Sequence, residues 1–410
     1  MEYLLRDGPE YEERKQTPFR IPKVTIAEVH AAVPKHLLDR STFKSLCYVL
    51  RDVAFATLVY RFGTNIDAWS SVLSQSAVGG FLSEGTIRWS LWAFYWFWQG
   101  IILAGWWVLG HEAGHNSLSP HMWFNHTVGL CIHTFLLVPY FNWRATHQSH
   151  HKGTASLERD GSYIPRTRSY YKLPPKAVAH VSDYHDIFEE TPIYTLLRML
   201  VMQLLGWQAY LLTDAMGNPT HPWWTNHFLP SSALFKPRDR KGVIISNITC
   251  SFMVCVLWYY ARQVGFTSFL KLYFIPYLLA NHWVVMLTFL HHSDPTIPHY
   301  RGSSWTFLRG ALATVDRPLL GWIGRFFLHN VSHDHVAHHF FALAPFYNLP
   351  EITKCIKPVL GVEYNYDSTS AFRALQRAFT ECVFIEDDGE VLFYKNKQGR
   401  SVRQLATETS

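Results

Sequence analysis

Cysteine is scarce in this 410-residue chain, and none of it is placed for chemistry. The six cysteines, at 47, 131, 250, 255, 355 and 382, form no CxxC pair. Three of them (Cys131, Cys250, Cys255) sit in apolar runs. A disulfide framework and a cysteine zinc site are thereby excluded, and small buried hydrophobes remain. Charge is scarce as well: 17% of residues, against 48% hydrophobic and 16% aromatic. A soluble chain of this length carries more charge. Mean hydropathy is near zero in spite of the aromatics, which implies membrane helices joined to a substantial polar part. No block of Lys and Arg interleaved with aromatics is present, so a nucleic-acid surface is excluded. The net charge of +6 reads instead as positive charge on the cytoplasmic side of a membrane. The first twenty residues, MEYLLRDGPEYEERKQTPFR, lack an apolar core, so no cleaved signal peptide is expected. The C-terminus carries no KDEL-type or CaaX signal. Insertion must use internal helices, and no internal repeat is visible.

Three long runs free of charge supply them. Trp89 to Gly110 is uncharged for 22 residues, and Val243 to Ala261 and Leu272 to Leu290 for 19 each. A helix needs about 20 residues to cross the hydrocarbon core. The run from 45 to 66 is weaker, because Arg51 and Asp52 interrupt it. Thr127 to Phe141 is too short to cross, and Pro192 to Leu212 carries Arg198 and Gln203. The expected class is all-α: a multi-pass membrane protein with about four transmembrane helices and a helical cap. Residues 1–44 form a polar N-terminal segment, 45–366 the membrane-bound domain, and 367–410 a C-terminal segment. In that last segment VFIEDDGEVLFYKN reads as a hairpin about an Asp-Gly turn, with a mobile tail from Lys397.

What stands out is histidine. HEAGH occupies 111–115, HQSHH occupies 147–151 and HVAHH occupies 335–339. On a helix, i, i+3 and i+4 share a face. His111 and His115 therefore align, as do His147, His150 and His151, and His335, His338 and His339. Eight imidazoles are too many for one zinc, which takes about four ligands. Two six-coordinate metals fit better, with positions left for oxygen or water. All-imidazole ligation leaves the metal charge uncompensated, so carboxylates should hold the outer ring nitrogens. Glu112, Glu158, Asp160 and Asp334 stand beside the clusters and are the candidates, and Asp334→Asn is expected to weaken iron retention. One shared site also imposes parity. Only 31 residues separate His115 from His147, too few for two crossings. The 127–141 run must dip in and return, the 243–261 and 272–290 runs must cross as a pair, and 192–212 must lie in the interface.

The three boxes and their placement resemble the membrane-bound fatty-acid desaturases. SLERD (156–160), DIFEETPIY (186–194), SSALFKP (231–237), LRGALATVDR (308–317) and HNVSHDHVAHHFF (329–341) resemble the delta-12 acyl-lipid (oleate) desaturases, most nearly the fungal ones. The likeness runs from about Thr25 to Asn396. It implies two iron ions (Fe2+/Fe3+) on the cytosolic side of four spans in the endoplasmic reticulum. It implies as ligands His111, His115, His147, His150, His151, His335, His338 and His339. A ninth comes from TFLHHSDP (288–295), where the resemblance favours His292, with His291 as the alternative. His333 is an extra imidazole beside the third box. Ala113 stands where many relatives have Cys.

The reaction implied is O2-dependent removal of two hydrogens from adjacent methylenes of an acyl chain, carried as phospholipid or acyl-CoA. Such a C–H bond has no acidic proton, so acid–base catalysis does not suffice and redox iron is preferred to zinc. Electrons are expected from cytochrome b5 with its reductase, as a separate protein. The product expected is linoleate from oleoyl groups. A delta-15 or bifunctional desaturase, hydroxylase, epoxygenase or conjugase would share the same boxes. A histidine-rich metal transporter is disfavoured, because transporters place their ligands near the midplane on broken spans.

Overall fold

The computed structural model describes residues 5–75 and 82–406. The helices that position the site are α1 (Thr42–Thr64), α2 (Glu84–Gly114), α3 (Met122–Phe135), α4 (Tyr140–Gly153), α5 (Pro192–Thr213), α6 (Arg240–Val264), α7 (Phe266–His292), α8 (His335–Phe340), α9 (Leu349–Leu360) and α10 (Ala371–Glu381). Their ends are written in the sequence. The hydroxyls of Ser41, Ser83, Thr191 and Ser370 accept N–H groups of the first turns of α1, α2, α5 and α10. Pro192 opens α5 at a position where its missing N–H costs nothing. Leu270 to Phe274 form a π-helical stretch within α7, just before Pro276.

Four long helices, α1, α2, α6 and α7, run side by side, and their direction alternates in chain order. Along α1 and α2, Gly63 meets Tyr95, Asp52 meets Gly105, and Ser45 donates to Leu118 O at 2.6 Å. The pair is therefore antiparallel. Along α2 and α7, Tyr95 Oη donates to Leu272 O at 2.7 Å and Gly100 lies against Leu279, so these two run parallel. A Cβ at Gly100 would lie 2.7 Å from Leu279 Cβ, which is why the helices approach there on glycine. α6 returns beside them, with Tyr260 Oη 2.9 Å from Tyr60 Oη at one end and Ser246 Oγ accepting Phe141 N–H at the other. Hence α2 and α7, whose C-terminal ends carry histidines, deliver them to one side.

By length and composition, three helices among the described residues are apolar enough to cross a membrane: 192–213, 237–264 and 266–292. The 31-residue α2 falls short of that set because hydropathy scales rate its Trp and Tyr as polar. α5 is one of these. Beyond its C-terminal end, Met216 O accepts Ile164 N–H at 3.2 Å. Before its N-terminal end, Glu190 receives Lys397 Nζ at 3.1 Å. The 164–168 and 384–397 stretches pair through Arg168 N–H to Ile385 O at 2.8 Å.

The interruption at Arg51 and Asp52 has a partner that the sequence did not reveal. Asp52 is buried and accepts from His329 Nε2 at 2.7 Å, while Arg51 pairs with Asp52 and donates to Phe326 O at 3.0 Å. The charges in α1 thus clamp the arm that leads to the third histidine box. A second buried ion cluster joins the chain termini to the end of α7. Arg317 bonds Asp294 at 2.8 Å, Asp367 at 2.6 Å and Leu290 O at 2.8 Å, and Arg377 bonds Asp367 and Asp7.

Two sequence expectations change in the C-terminal segment. The expected hairpin pairs at its base, Phe384 with Lys395, but Val391–Leu392 pairs antiparallel with His299–Tyr300 instead. Edge N–H groups find that strand because His299 and Tyr300 are already buried beside the metal-facing loop. The tail from Lys397, expected to be mobile, is held as far as it is described. Phe19 N–H donates to Gln404 O at 2.8 Å, Ala406 N–H to Phe19 O at 2.8 Å, and Arg403 to Thr17 O at 2.9 Å. The last four residues lie outside the described range.

Replacing Asp52 by Ala should strand His329 and Arg51 and cost about 3 kcal/mol, the scale for breaking a buried pair. Asp52→Asn, whose amide oxygen still accepts from His329, should lose less. Thermal unfolding of the purified protein in lipid nanodiscs checks the order.

Candidate metal centre

Every histidine box lies at a helix end. His111 and His115 close α2, and their rings lie 4.7 Å apart on one face. His147, His150 and His151 occupy the last turns of α4, and His335, His338 and His339 lie in α8. His292 is the last residue of α7. A helix end offers rigid backbone on one side and room for a ring on the other. Gly110 lets the ring of His133 pack directly on α2 one residue before the first box.

The boxes do not each form a cluster; they divide. Ligand atoms of His111, His115, His147, His151 and His338 all lie within 4.8 Å of one another, and those of His150, His292 and His339 form a second such group. His335 joins the second group, its Nε2 at 3.1 Å from His292 Nε2 and 3.2 Å from His339 Nε2. The i+3 and i+4 positions point about 100° apart, one on either side of i, so one helix turn feeds two centres. The groups abut where His151 stacks on His339 at 4.1 Å. All nine expected histidines are therefore brought together. Between the two alternatives on α7, the structure brings in His292: its Nε2 is 3.3 Å from His150 Nε2. His291 donates Nδ1–H to Val315 O at 2.5 Å and stacks on His335 at 4.3 Å, outside both groups of mutually close ligand atoms. His333 lies outside both groups.

The outer nitrogens fix which ring atoms face inward. Asp160 Oδ1 takes His150 Nδ1–H at 2.9 Å, and Glu112 Oε1 takes His111 Nδ1–H at 3.0 Å. Thr154 Oγ1 donates to His150 O and so accepts from His339 Nδ1 at 3.3 Å. Nε2 of these three rings faces inward and is then a bare lone pair. His147 Nε2 and His151 Nε2 lie 3.1 Å apart, a distance that one ring's N–H bridges in the absence of metal and that two ligands of one ion also adopt. Adjacent ligands of a six-coordinate ion at ~2.1 Å stand about 3 Å apart. Nε2 of His115 and of His338 is buried without any hydrogen-bond partner. The donor set therefore fits two metal ions. Burial, then neighbouring imidazoles, holds His147, His151, His335 and His339 well below the ordinary histidine range, and brings His338 to about 3. These rings are neutral at pH 7, the form that binds metal.

Of the four carboxylates expected to hold ligands, Glu112 and Asp160 do so. Asp334 does not: its carboxylate meets Arg325 at 3.0 Å. It precedes the first turn of α8, and its backbone carbonyl accepts His338 N–H, so its side chain leaves on the opposite side from the box. Glu158 accepts Gly302 N–H at 3.3 Å on the surface and touches no ligand. Sequence reasoning missed Thr154 and Trp143. Trp143 stacks on His147 at 4.4 Å, a contact that its i, i+4 spacing signals.

Residues 89–369 match the family model for fatty acid desaturases. The Delta(12) fatty acid desaturase of Mortierella isabellina is 40% identical over 382 residues, 92% of each chain. Oleate hydroxylase FAH12 of Claviceps purpurea is 35% identical over 418 residues, 95% of this chain and 85% of that one. The Omega-6 fatty acid desaturase, endoplasmic reticulum, of Brassica juncea is 35% identical over 388 residues, 93% of this chain and 94% of that one.

Two predictions issue from the geometry. Glu112→Gln and Asp160→Asn should each weaken metal retention against a chelator by roughly 10–100-fold, whereas Asp334→Asn and Glu158→Gln should leave it unchanged. Acid should destabilise the metal-free protein. The buried rings bind protons more weakly folded than unfolded, so stability is full above about pH 6.5 and falls below it. Each such histidine contributes a slope of about 1.4 kcal/mol per pH unit, and for His338 the fall continues to about pH 3. Unfolding midpoints measured in nanodiscs on acidification test the sign.

Proposed function

The chain belongs to the fatty acid desaturase family, and on that premise we propose that it introduces a cis double bond at the delta-12 position of oleoyl groups in membrane lipid, forming linoleate. Two adjoining all-imidazole clusters carry the reading, because an unactivated methylene yields to a redox metal and not to a base. The bond position is supported by the similarity to the Mortierella relative along nearly the whole chain. We assign His111, His115, His147, His151 and His338 to one iron and His150, His292, His335 and His339 to the other. Bound iron supplies the O2-dependent oxidation that takes hydrogen from the acyl chain. The chain's own residues do the rest. Glu112 and Asp160 hold the Nδ1 protons of His111 and His150, which orients each ring and leaves Nε2 free. Trp107 and Trp143 wall the His111 and His147 side against water.

Cytochrome b5 with its reductase supplies the electrons in this reading. The centre faces the cytosol from the endoplasmic reticulum membrane, the compartment for which the Brassica relative is named. The acyl chain enters from the bilayer, as phospholipid or as acyl-CoA. One second reading has an observation behind it. The Claviceps relative is named an oleate hydroxylase, and a hydroxylase needs the same metal centre.

Fatty-acid profiling of yeast expressing the chain decides between them. Linoleate made from endogenous oleate, and abolished by His150→Gln, is the expected result. A hydroxylated acid in its place would establish the second reading, and an unchanged profile with the metal bound would overturn both.

A further inference from the structure

A contiguous line of oxidisable rings leaves the metal centre. Trp143 stacks on His147 at 4.4 Å with 19° between planes, and Trp107 stacks on His111 at 5.7 Å with 20°. Trp107 and Trp143 are themselves 5.1 Å apart. From Trp107 the line continues to Trp207 at 5.6 Å, and from Trp207 to Tyr210 at 5.6 Å. The three indoles are at least 95% buried, with exposures of 3%, 2% and 5% for Trp143, Trp107 and Trp207. Tyr210 is only half-buried. It lines a polar cavity of about 120 Å³ with Asp214, His221 and His227, and exposed Glu158 and Arg159 carry the wall of that cavity to the surface. The Tyr210 hydroxyl lies 3.2 Å from Thr146 Oγ1, so its proton has an acceptor. The line thus begins on ligands of the group assigned above to one iron and ends at a phenol beside water.

We infer that Trp143, Trp107, Trp207 and Tyr210 form a protective relay that discharges the centre when it has become oxidised without an acyl chain in place. This inference rests on the desaturase reading. Chemistry fixes the direction. Indoles and phenols give up electrons only to very strong oxidants, so the relay cannot carry electrons inward from a mild biological donor. It works only when the centre is oxidising enough to attack a methylene. One electron then passes from Trp143 or Trp107 to the centre, and Trp207 and Tyr210 refill the hole in turn. Tyr210 loses its phenolic proton to the hydrogen-bonded cavity as it loses the electron. The centre is reduced by one electron and Tyr210 remains as a neutral radical. A small soluble thiol reaching the cavity returns one hydrogen atom. Two such transfers match the two electrons that two thiols give up on forming one disulfide. Tyr163 lies on His292 at 5.1 Å, and among the described residues its ring contacts are with His292 and His150, not with the tryptophans of the line.

The test uses iron-loaded full-length protein in nanodiscs with O2, reductant and no acyl lipid substrate. The wild type should show a tyrosyl radical by electron paramagnetic resonance, and Tyr210→Phe should lose it while keeping two irons per chain. Tyr210→Phe and, independently, Trp207→Phe should inactivate after several-fold fewer idle turnovers, with oxygen adducts accumulating on Trp143 and Trp107 by mass spectrometry. Tyr163→Phe should keep both the radical and the wild-type lifetime. A radical that survives Tyr210→Phe, or equal lifetimes and adducts in all variants, would overturn the relay. Product formation by the wild type with acyl lipid is scored separately. Its absence would defeat the desaturase reading, whereas its presence without the radical would defeat the relay alone.

Discussion

Imidazole Nε2 atoms brought to within about 3 Å of each other, in a buried space, are the constraint on which this structure turns. Four such Nε2 contacts, between 3.1 and 3.3 Å, run through the two groups. Each pair either shares one tautomer's N–H or turns two lone pairs to a cation, and desolvation keeps the rings neutral. The architecture therefore has to hold nine neutral rings at ligand spacing in one buried space. That explains how many anchors surround it. Asp160 and Glu112 grip two rings by Nδ1, Thr154 a third, and Val315 O fixes the neighbouring His291 outside both groups.

The same demand accounts for charges that look misplaced in apolar surroundings. Asp52 interrupts the apolar stretch of α1, yet it holds His329, six residues before the third box. Arg317 takes the last carbonyls of α7 at Leu290 and binds Asp294, two residues beyond His292. Its backbone also bonds Ser332, three residues before the box. Buried ion pairs of this kind contribute little net stability, because desolvation offsets the attraction. Here they set geometry, joining the ends of separate helices at the point where the rings must meet. The N-terminal segment and the C-terminal helix enter the same cluster through Asp7, Asp367 and Arg377, so distant parts of the sequence bear on one half of the centre.

Much of this was legible beforehand. The i, i+3, i+4 spacing identified eight of the nine rings and the resemblance supplied the ninth, with His291 as its alternative; parity asked that all share one side of the membrane, because a helix of about 20 residues has a fixed reach. Acidic residues one position from a ligand were less legible. Glu112 and Asp334 both adjoin a box, but Glu112 lies within a helix that turns its carboxylate back toward His111, whereas Asp334 precedes its helix and faces Arg325. Adjacency in sequence says nothing about which side a residue outside the helical repeat will face. The 391–392 strand paired with 299–300 for a similar reason: a two-residue strand is placed by whichever edge is exposed nearby, and local pattern does not contain that edge.

By itself, then, the sequence determined eight of the rings and the helices that bear them, since each follows from a local period or a fixed length. Only the tertiary structure decided that the second and third boxes divide between two groups while the first feeds one, that His292 and not His291 joins a group, and which carboxylates grip the rings. Those outcomes depend on the rotation of one helix against another. Rotation is set by packing across the whole core, at contacts such as Gly100 with Leu279 and Trp107 with Trp207, and no short stretch of chain encodes it.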